Sequence, residues 1–456
     1  MAGNGIKSYI YKGIRPTPMC SYAIRKLNCI AGVMVTASHN PQAYNGYKAY
    51  WKEGSQILDD IANQISDHME KIEKFEEVKQ IPFEEALKSG ITKYIDDSVD
   101  EDYKNEVLNL TINDNNIDKD IKVVYTPLNG VGNLPVREVL KRRGFKNIFV
   151  VKEQELPDPE FTTVGYPNPE VPKAFLYSEK LGKEVDADIL IATDPDCDRV
   201  ALEVKDKNGE YIFLNGNRIG ALLSYYIFSQ RYALNNLPEN PVLVKSIVTG
   251  DLSKTIAKKY GIETVETLTG FKNICGKTNE YDVTKEKNYV FGYEESIGFC
   301  YGTFVRDKDA VGASMMVVEM AAYYKKQGKS LLDVLNDIYE EFGYYNERQV
   351  SLELEGIEGQ QRIGRMMEDF RDNPIKEIGE ISLEKIIDFK DGYLDFPEQN
   401  CLKYYLNDGS WYALRPSGTE PKIKLYIYTI GKTEKESIDK LDLIEKVCRE
   451  KMNSVK

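Results

Sequence analysis

Ile189-Leu190-Ile191-Ala192-Thr193-Asp194-Pro195-Asp196-Cys197-Asp198-Arg199 is an apolar run that ends abruptly in carboxylates. Such a run reads as a buried strand, and the turn residues after it place the aspartates at its carboxyl end. Ile121-Lys122-Val123-Val124-Tyr125 and Val242-Leu243-Val244 have the same form, and helical patterns from Leu134 to Arg143 and from Leu252 to Tyr260 follow strands of this kind. Strands alternating with helices predict parallel sheets and an α/β fold. Ligands of open parallel sheets collect at the carboxyl ends of the strands, where Ser38, Asp194 and Gly292 to Ser296 all fall. The last segment differs: Lys422-Ile423-Lys424-Leu425-Tyr426-Ile427-Tyr428 alternates with period two, and an amphipathic helix is expected from about Glu434 to Lys451. That predicts a smaller α+β terminal domain. The polar stretch from Asp96 to Asp120 and the acidic stretch from Glu377 to Asp391 read as inter-domain connections or decorations.

At 456 residues the chain is too long for one ordinary core. Its formal net charge of -13, with no local block of Lys and Arg, repels polyanions and argues against a nucleic-acid partner. No basic segment followed by an apolar core opens the chain, and no run reaches the ~18 apolar residues that a membrane span needs. The expectation is a cytoplasmic protein without a membrane partner, a monomer or weak homo-oligomer. Seven cysteines are scattered without any Cys-x-x-Cys pair, which fits neither a disulfide framework nor a zinc site.

Asp194, Asp196 and Asp198 stand at i, i+2 and i+4. Three carboxylates so close repel one another unless a cation sits among them, and hard oxygen ligands suit Mg²⁺. A calcium-binding EF-hand loop is rejected, because its required Gly and Glu positions hold Arg199 and Lys205. Asp196-Cys197-Asp198-Arg199-Val200 also resembles the signature of haloacid-dehalogenase-type phosphatases, in which Asp196 would be the nucleophile. Upstream, Thr36-Ala37-Ser38-His39-Asn40-Pro41 follows the apolar run Ala31 to Val35 and sets one hydroxyl, Ser38, in a polar turn at a strand end. Downstream, Arg415-Pro416-Ser417-Gly418-Thr419-Glu420-Pro421 has the parts of an anion cradle: an Arg fork, two hydroxyls, and a Gly that lets backbone N–H groups turn inward. Nucleophile, metal site and anion cradle together point to phosphoryl transfer.

These motifs, with Tyr44-Asn45-Gly46-Tyr47-Lys48 and Gly292-Tyr293-Glu294-Glu295-Ser296, resemble the signature loops of the α-D-phosphohexomutases and occur in that family's order. Arg15-Pro16-Thr17-Pro18, Thr269-Gly270-Phe271-Lys272 and Arg306-Asp307-Lys308-Asp309-Ala310-Val311-Gly312 extend the resemblance to the phosphoglucomutase/phosphopentomutase branch. The resemblance implies three consecutive mixed α/β domains, at residues 1–112, 113–216 and 217–342, and an α+β domain at 343–456, around a central cleft. Carried over, Ser38 is the phosphoserine, and it and Asp194, Asp196 and Asp198 hold Mg²⁺. Glu294 and Ser296 grip sugar hydroxyls, while Arg415, Ser417, Gly418 and Thr419 hold the phosphate that is not reacting. Lys245, Thr269, Gly270, Lys272 and Arg306 are expected to touch the phosphate or sugar, and Arg199 to orient the metal loop or meet the phosphate. Lys48 and Lys308, which match family positions, are the candidates for proton transfer, with pKa values expected to be lowered in a cationic cleft, and His39 adjoins the nucleophile.

The implied activity interconverts glucose 1-phosphate and glucose 6-phosphate through glucose 1,6-bisphosphate, which also serves as activator. Phosphopentomutase or phosphomannomutase activity, a Mg²⁺-dependent phosphatase and a truncated, inactive sugar-phosphate-binding protein are the alternatives. Family members begin with a segment carrying a Phe-Gly-Thr-x-Gly-x-Arg-Gly motif that does not occur in the sequence. The first domain is therefore expected to be incomplete, with Gly5 to Tyr11 running from a helix end into a buried strand that lacks neighbours.

Overall fold

Ile189–Thr193 is buried at every residue, as a continuous apolar run between two strands must be. It lies at the centre of a five-stranded sheet, parallel to Lys122–Thr126 and antiparallel to Val200–Lys205; Asn147–Val150 and Tyr211–Leu214 form the edges. The computed structural model describes residues 1–417 and 421–456. A second α/β unit places Pro241–Ser246 parallel to both Glu263–Thr267 and Asn288–Glu294, with Gly298–Cys300 returning antiparallel. The helix Ala310–Lys325 is apolar on all sides and almost wholly buried. It packs on Asn133–Arg142 of the preceding unit and on Gly216–Ala233 of its own, so the two units share one core. Each fully buried Val, Leu or Ile there contributes about 1.5–3 kcal/mol.

The C-terminal unit is the expected α+β domain: a six-stranded antiparallel sheet with Lys422–Gly431 paired along its whole length to Tyr344–Glu353, covered by Gly356–Asp372 and Glu434–Ser454. Trp411 and Tyr428 leave its core to join that of the neighbouring unit, where Trp411 Nε1 donates to Asp251 Oδ2 at 2.8 Å.

Residues before Asp97 fold differently. The described strands there form two two-stranded sheets, Ser8–Ile10 parallel to Thr92–Tyr94 and Ala31–Val35 antiparallel to Tyr47–Trp51. Ser8–Ile10 is thus neither buried nor without a neighbour: Tyr9 and Ile10 are exposed, and its partner lies more than eighty positions along the chain. Two stretches expected to be connections are ordered elements. Asp97–Asn109 is a helix capped by the Asp96 carboxylate, burying Val99, Tyr103 and Val107 on one stripe, and Ile381–Asp388 is a strand of the C-terminal sheet. No helix among the described residues is long and apolar enough to cross a membrane.

Candidate active site

The strand Ile189–Thr193 delivers Asp194, Asp196 and Asp198 into a tight turn in which Cys197 adopts a left-handed conformation, φ 54°. All three carboxylates are buried, and their oxygens lie within 4.8 Å of one another. The turn is pinned from within, since Asp194 Oδ1 accepts from the backbone N–H of Asp198 at 3.0 Å and of Arg199 at 2.9 Å. From outside, Thr17 holds Asp196, its Oγ1 donating to Oδ2 at 2.9 Å and its N–H to the carbonyl at 2.9 Å.

The antiparallel ribbon Ala31–Val35/Tyr47–Trp51 brings the other half. Ser38 lies beyond the first strand at φ 52°, a left-handed conformation that costs a β-carbon residue on the order of 1–3 kcal/mol and persists only where the surroundings hold it. Its N–H is taken by Thr36 Oγ1 at 2.8 Å, and its Oγ stands 3.3 Å from Asp194 Oδ2 and 3.2 Å from Asp196 Oδ1. From the second strand Lys48 Nζ reaches Asp196 Oδ2 at 2.7 Å and Asp198 Oδ2 at 2.6 Å. Lys308 Nζ comes from the third unit to the same Asp198 oxygen at 3.1 Å. Three parts of the chain therefore converge on one hydroxyl and three carboxylates.

Electrostatics follow from this packing. Burial and its two neighbouring carboxylates push Asp194 well up, whereas Lys308, Lys48 and Arg199 outweigh burial at Asp198 and hold it down. Burial would lower Lys48, yet Asp196, Asp198 and Asp307 raise it well above the ordinary lysine value; Lys308 is raised likewise by Asp198 and Asp307. The lowered lysine pKa values expected from the sequence are corrected here, because both ammonium groups face carboxylates in this structure. Burial, with Arg199 nearby, pushes His39 down to about 3, which leaves it neutral near pH 7. Its Nδ1 lies 3.4 Å from Ser38 Oγ.

The donor set suits a hard divalent cation. Three buried carboxylates share a small volume, and Asp198 Oδ1 is buried without a hydrogen-bond partner, with Arg199 Nε 4.0 Å away, so that oxygen is free to take a metal ion.

Models of the α/β/α domains I, II and III of phosphoglucomutase/phosphomannomutase match residues 1–76, 101–209 and 215–342. A phosphoglucomutase of Staphylococcus epidermidis (strain ATCC 35984) is 38% identical over 440 residues, 94% of this chain and 78% of that protein. The chain belongs to the phosphoglucomutase/phosphomannomutase family. A phosphoglucomutase of Staphylococcus aureus (strain MRSA252) is 37% identical over 94% of the chain and 77% of its own length. The fold of the family is seen again in a putative phosphomannomutase of Thermus thermophilus, with a TM-score of 0.71 at 20% identity over 98% of this chain and 85% of that one.

Other residues expected from the family pattern divide into those the fold brings to this cleft and those it does not. Glu294 ends the strand Asn288–Glu294 and accepts from the N–H of Gly270 at 2.7 Å, across a glycine whose φ of 108° a side chain rarely adopts. Burial and the adjoining Glu295 raise its pKa. Ser296 receives Arg199 through its carbonyl at 3.3 Å, and Arg199 also faces Glu170 at 3.5 Å. Thr269 has a buried hydroxyl without a hydrogen-bond partner, and Lys272 reaches across to Asp59 of the first unit at 2.5 Å. Arg415 pairs in register with Lys424 near the end of the C-terminal hairpin, and Ser417 donates its N–H to the Lys422 carbonyl at 2.7 Å. Gly418 and Thr419 lie outside the described residues.

Two residues expected at the substrate have protein partners in this structure. Lys245 is fully buried between Asp251 at 3.0 Å and Glu266 at 2.9 Å, both within its own unit. Arg306 is 1% exposed and bound to Asn279 and Asp282. The sequence reading named Thr17 and Asp307 only within longer motifs and gave no role to them or to Lys424. Lys424 alternates with apolar residues along its strand, the pattern of an ordinary solvated lysine, but burial, with Arg415 close by, lowers its pKa.

Proposed function

We propose that this chain is an intramolecular phosphotransferase that interconverts glucose 1-phosphate and glucose 6-phosphate, with Ser38 carrying the phosphoryl group between turnovers and glucose 1,6-bisphosphate as intermediate. The observation that carries this reading is the convergence of Ser38 Oγ, three buried carboxylates and two lysine ammonium groups within hydrogen-bonding reach of one another. Relatives 37–38% identical are named phosphoglucomutase, which supports glucose phosphates over mannose or pentose phosphates.

Asp194, Asp196 and Asp198, with an oxygen on Ser38, would hold one Mg²⁺. That ion supplies neutralisation of the charge on a transferring phosphoryl group. An Aspergillus fumigatus N-acetylphosphoglucosamine mutase of the same fold is described in complex with GlcNAc-6P and magnesium, with a TM-score of 0.54 at 15% identity. Lys48 and Lys308 are the candidates for proton transfer: an ammonium group gives its proton to the departing oxygen, and the lysine so neutralised takes up the proton that the attacking hydroxyl releases, so none is gained or lost over the transfer. Arg415, Ser417 and Lys424 are the described residues suited to the phosphate that is not reacting, and Glu294, fixed by Gly270, and Ser296 to the sugar hydroxyls. One site for that distal phosphate serves both orientations of the bisphosphate, which is what allows either end to meet Ser38. Asp196 is poorly placed as a nucleophile itself, because Thr17, Lys48 and Ser38 already occupy its oxygens. With seven free thiols, a cytoplasmic enzyme of carbohydrate metabolism is the fitting setting.

The test is intact-mass analysis with peptide mapping beside a coupled glucose 1-phosphate assay. A phosphate on Ser38 and formation of glucose 6-phosphate are expected. Stoichiometric phosphate on Asp196 with release of inorganic phosphate would establish a phosphatase instead.

A further inference from the structure

Asp307 stands beside Lys308 in the loop before the helix Ala310–Lys325 and is 1% exposed. Its two oxygens face different domains. Oδ2 accepts from Tyr50 Oη at 2.7 Å and from Gln56 Nε2 at 2.8 Å, both on the unit that carries Ser38. Oδ1 accepts from the backbone N–H of Lys308 at 2.8 Å and from its Nζ at 3.3 Å. Tyr50 and Lys48 are two apart on the strand Tyr47–Trp51, so their side chains leave the same face. One rigid strand thus supplies Lys48 to the aspartate cluster and Tyr50 to Asp307.

The Lys308 side chain runs through a narrow slot. A Cβ on Gly298 would lie 2.3 Å from Lys308 Cδ, and the ammonium stands 5.5 Å from the centroid of the Phe271 ring. These walls confine the stem, and the direction of the ammonium is set by the groups it bonds to. The two carboxylates that flank it, Asp198 at 3.1 Å and Asp307 at 3.3 Å, fix its direction. Asp198 belongs to the metal loop; Asp307 bonds to neither Ser38 nor the three aspartates and meets the reacting groups through Lys308 alone.

We infer that Asp307 is a positioning residue: it aims the Lys308 ammonium at the reacting oxygen and, through Tyr50 and Gln56, ties that aim to the placement of the strand beside the nucleophile. The inference rests on the reading of Lys308 as a proton carrier. Misplacement of a reacting group by about 1 Å can cost on the order of a hundredfold in rate, and a lysine that has lost one of two anchors is open to that error. Substrate affinity should change little, because phosphate and sugar are held elsewhere.

The decisive experiment is a double-mutant cycle on the full chain with Mg²⁺ and glucose 1,6-bisphosphate, reading kcat and KM for glucose 1-phosphate and the thermal midpoint. Asp307→Asn should lower kcat about a hundredfold with KM within about threefold, and in Lys308→Met it should cause no further loss, since a residue that acts through Lys308 has nothing left to act on. Tyr50→Phe removes a single hydrogen bond to Asp307 and should lower kcat several-fold, again without effect once Asp307 is Asn. Wild-type kcat in Asp307→Asn, or losses that multiply in the double variant, would overturn the inference. If Asp307→Asn fails to fold, an unchanged kcat in Tyr50→Phe overturns it alone. Wild-type kcat in Lys308→Met is a different failure, which removes the proton-carrier reading and this inference with it.

Discussion

The nucleophile loop and the metal loop are alike at the level of backbone and opposite in their foundations. Each leaves a strand end and places one non-glycine residue in the left-handed region, Ser38 at φ 52° and Cys197 at φ 54°. The metal loop rises from the centre of a five-stranded sheet whose strand Ile189–Thr193 is buried throughout. The nucleophile loop rises from a two-stranded ribbon on which Val33 and Val35 are exposed. A two-stranded ribbon is at best marginally stable on its own. What fixes Ser38 therefore comes largely from across the cleft: the Asp194 and Asp196 carboxylates at its Oγ, Lys48 on Asp196 and Asp198, and Tyr50 on Asp307. The difference teaches that here the nucleophile is positioned by its partners more than by its own sheet.

Substituting the nucleophile should give the largest effect and leave the better-founded half intact. Ser38→Ala should lower mutase turnover by about four orders of magnitude or more, while Mg²⁺ binding measured by calorimetry weakens less than about tenfold, because the aspartate turn is pinned by its own backbone. A collapse of metal affinity in this variant would break the comparison by showing that the metal loop depends on Ser38.

The reverse substitution should not be so contained. Asp194→Asn, Asp196→Asn and Asp198→Asn each remove one charge from a small, exacting coordination sphere and should weaken Mg²⁺ binding by about tenfold to a hundredfold. The two that touch Ser38, Asp194 and Asp196, should also slow phosphorylation of Ser38 by sugar bisphosphate at saturating Mg²⁺, whereas Asp198→Asn should recover more of that rate when metal is raised. Equal recovery in all three would mean that the aspartates act on Ser38 only through the ion.

Hydrogen exchange gives a direct reading of the two foundations. Amides of Ile189–Thr193 should be protected at least a hundredfold more than those of Ala31–Val35, since local opening of a ribbon costs less than opening the centre of a buried sheet. Equal protection would mean that the ribbon is braced far better than its exposed valines imply.

The contrast also marks what could be read from the residues alone. The metal loop was legible because everything that defines it is local: an apolar run, then aspartates at alternate positions. The helix Asp97–Asn109 was missed for its polar composition, although Val99, Tyr103 and Val107 recur at four-residue spacing, the signal of a single buried stripe. Pairing of Ser8–Ile10 with Thr92–Tyr94 had no local signal at all. Lys245 and Arg306 sit in motifs rich in site residues, but Asp251, Glu266 and Asp282, which claim their charges, meet them only in the fold. The direction of the lysine shifts failed for the same reason. A cleft expected to be cationic holds, around Lys48 and Lys308, more carboxylate than the motifs reveal one at a time.

The smallest effect expected concerns a flaw in the stronger foundation. Glu203, on the strand next to Ile189–Thr193, is 2% exposed, and its Oε2 is buried without a hydrogen-bond partner. Burial, with a further push from Glu179, raises its pKa from the ordinary carboxylate value of 4.5 to about 8. Between those values the folded chain keeps a proton that the unfolded chain has shed, so this group's contribution is fully present below about pH 4.5 and is lost as pH rises toward 8. At about 1.4 kcal/mol per pH unit the loss amounts to about 5 kcal/mol at most. Glu203→Gln replaces the titrating group with a neutral one of the same shape. The stability difference between variant and wild type, from urea unfolding of the chain, should therefore grow in the variant's favour from pH 5 to pH 8, by about 3 kcal/mol. A difference that stays constant across that range would show that Glu203 finds a partner or water when it ionises, and would remove the one weakness assigned to the sheet beneath the metal loop.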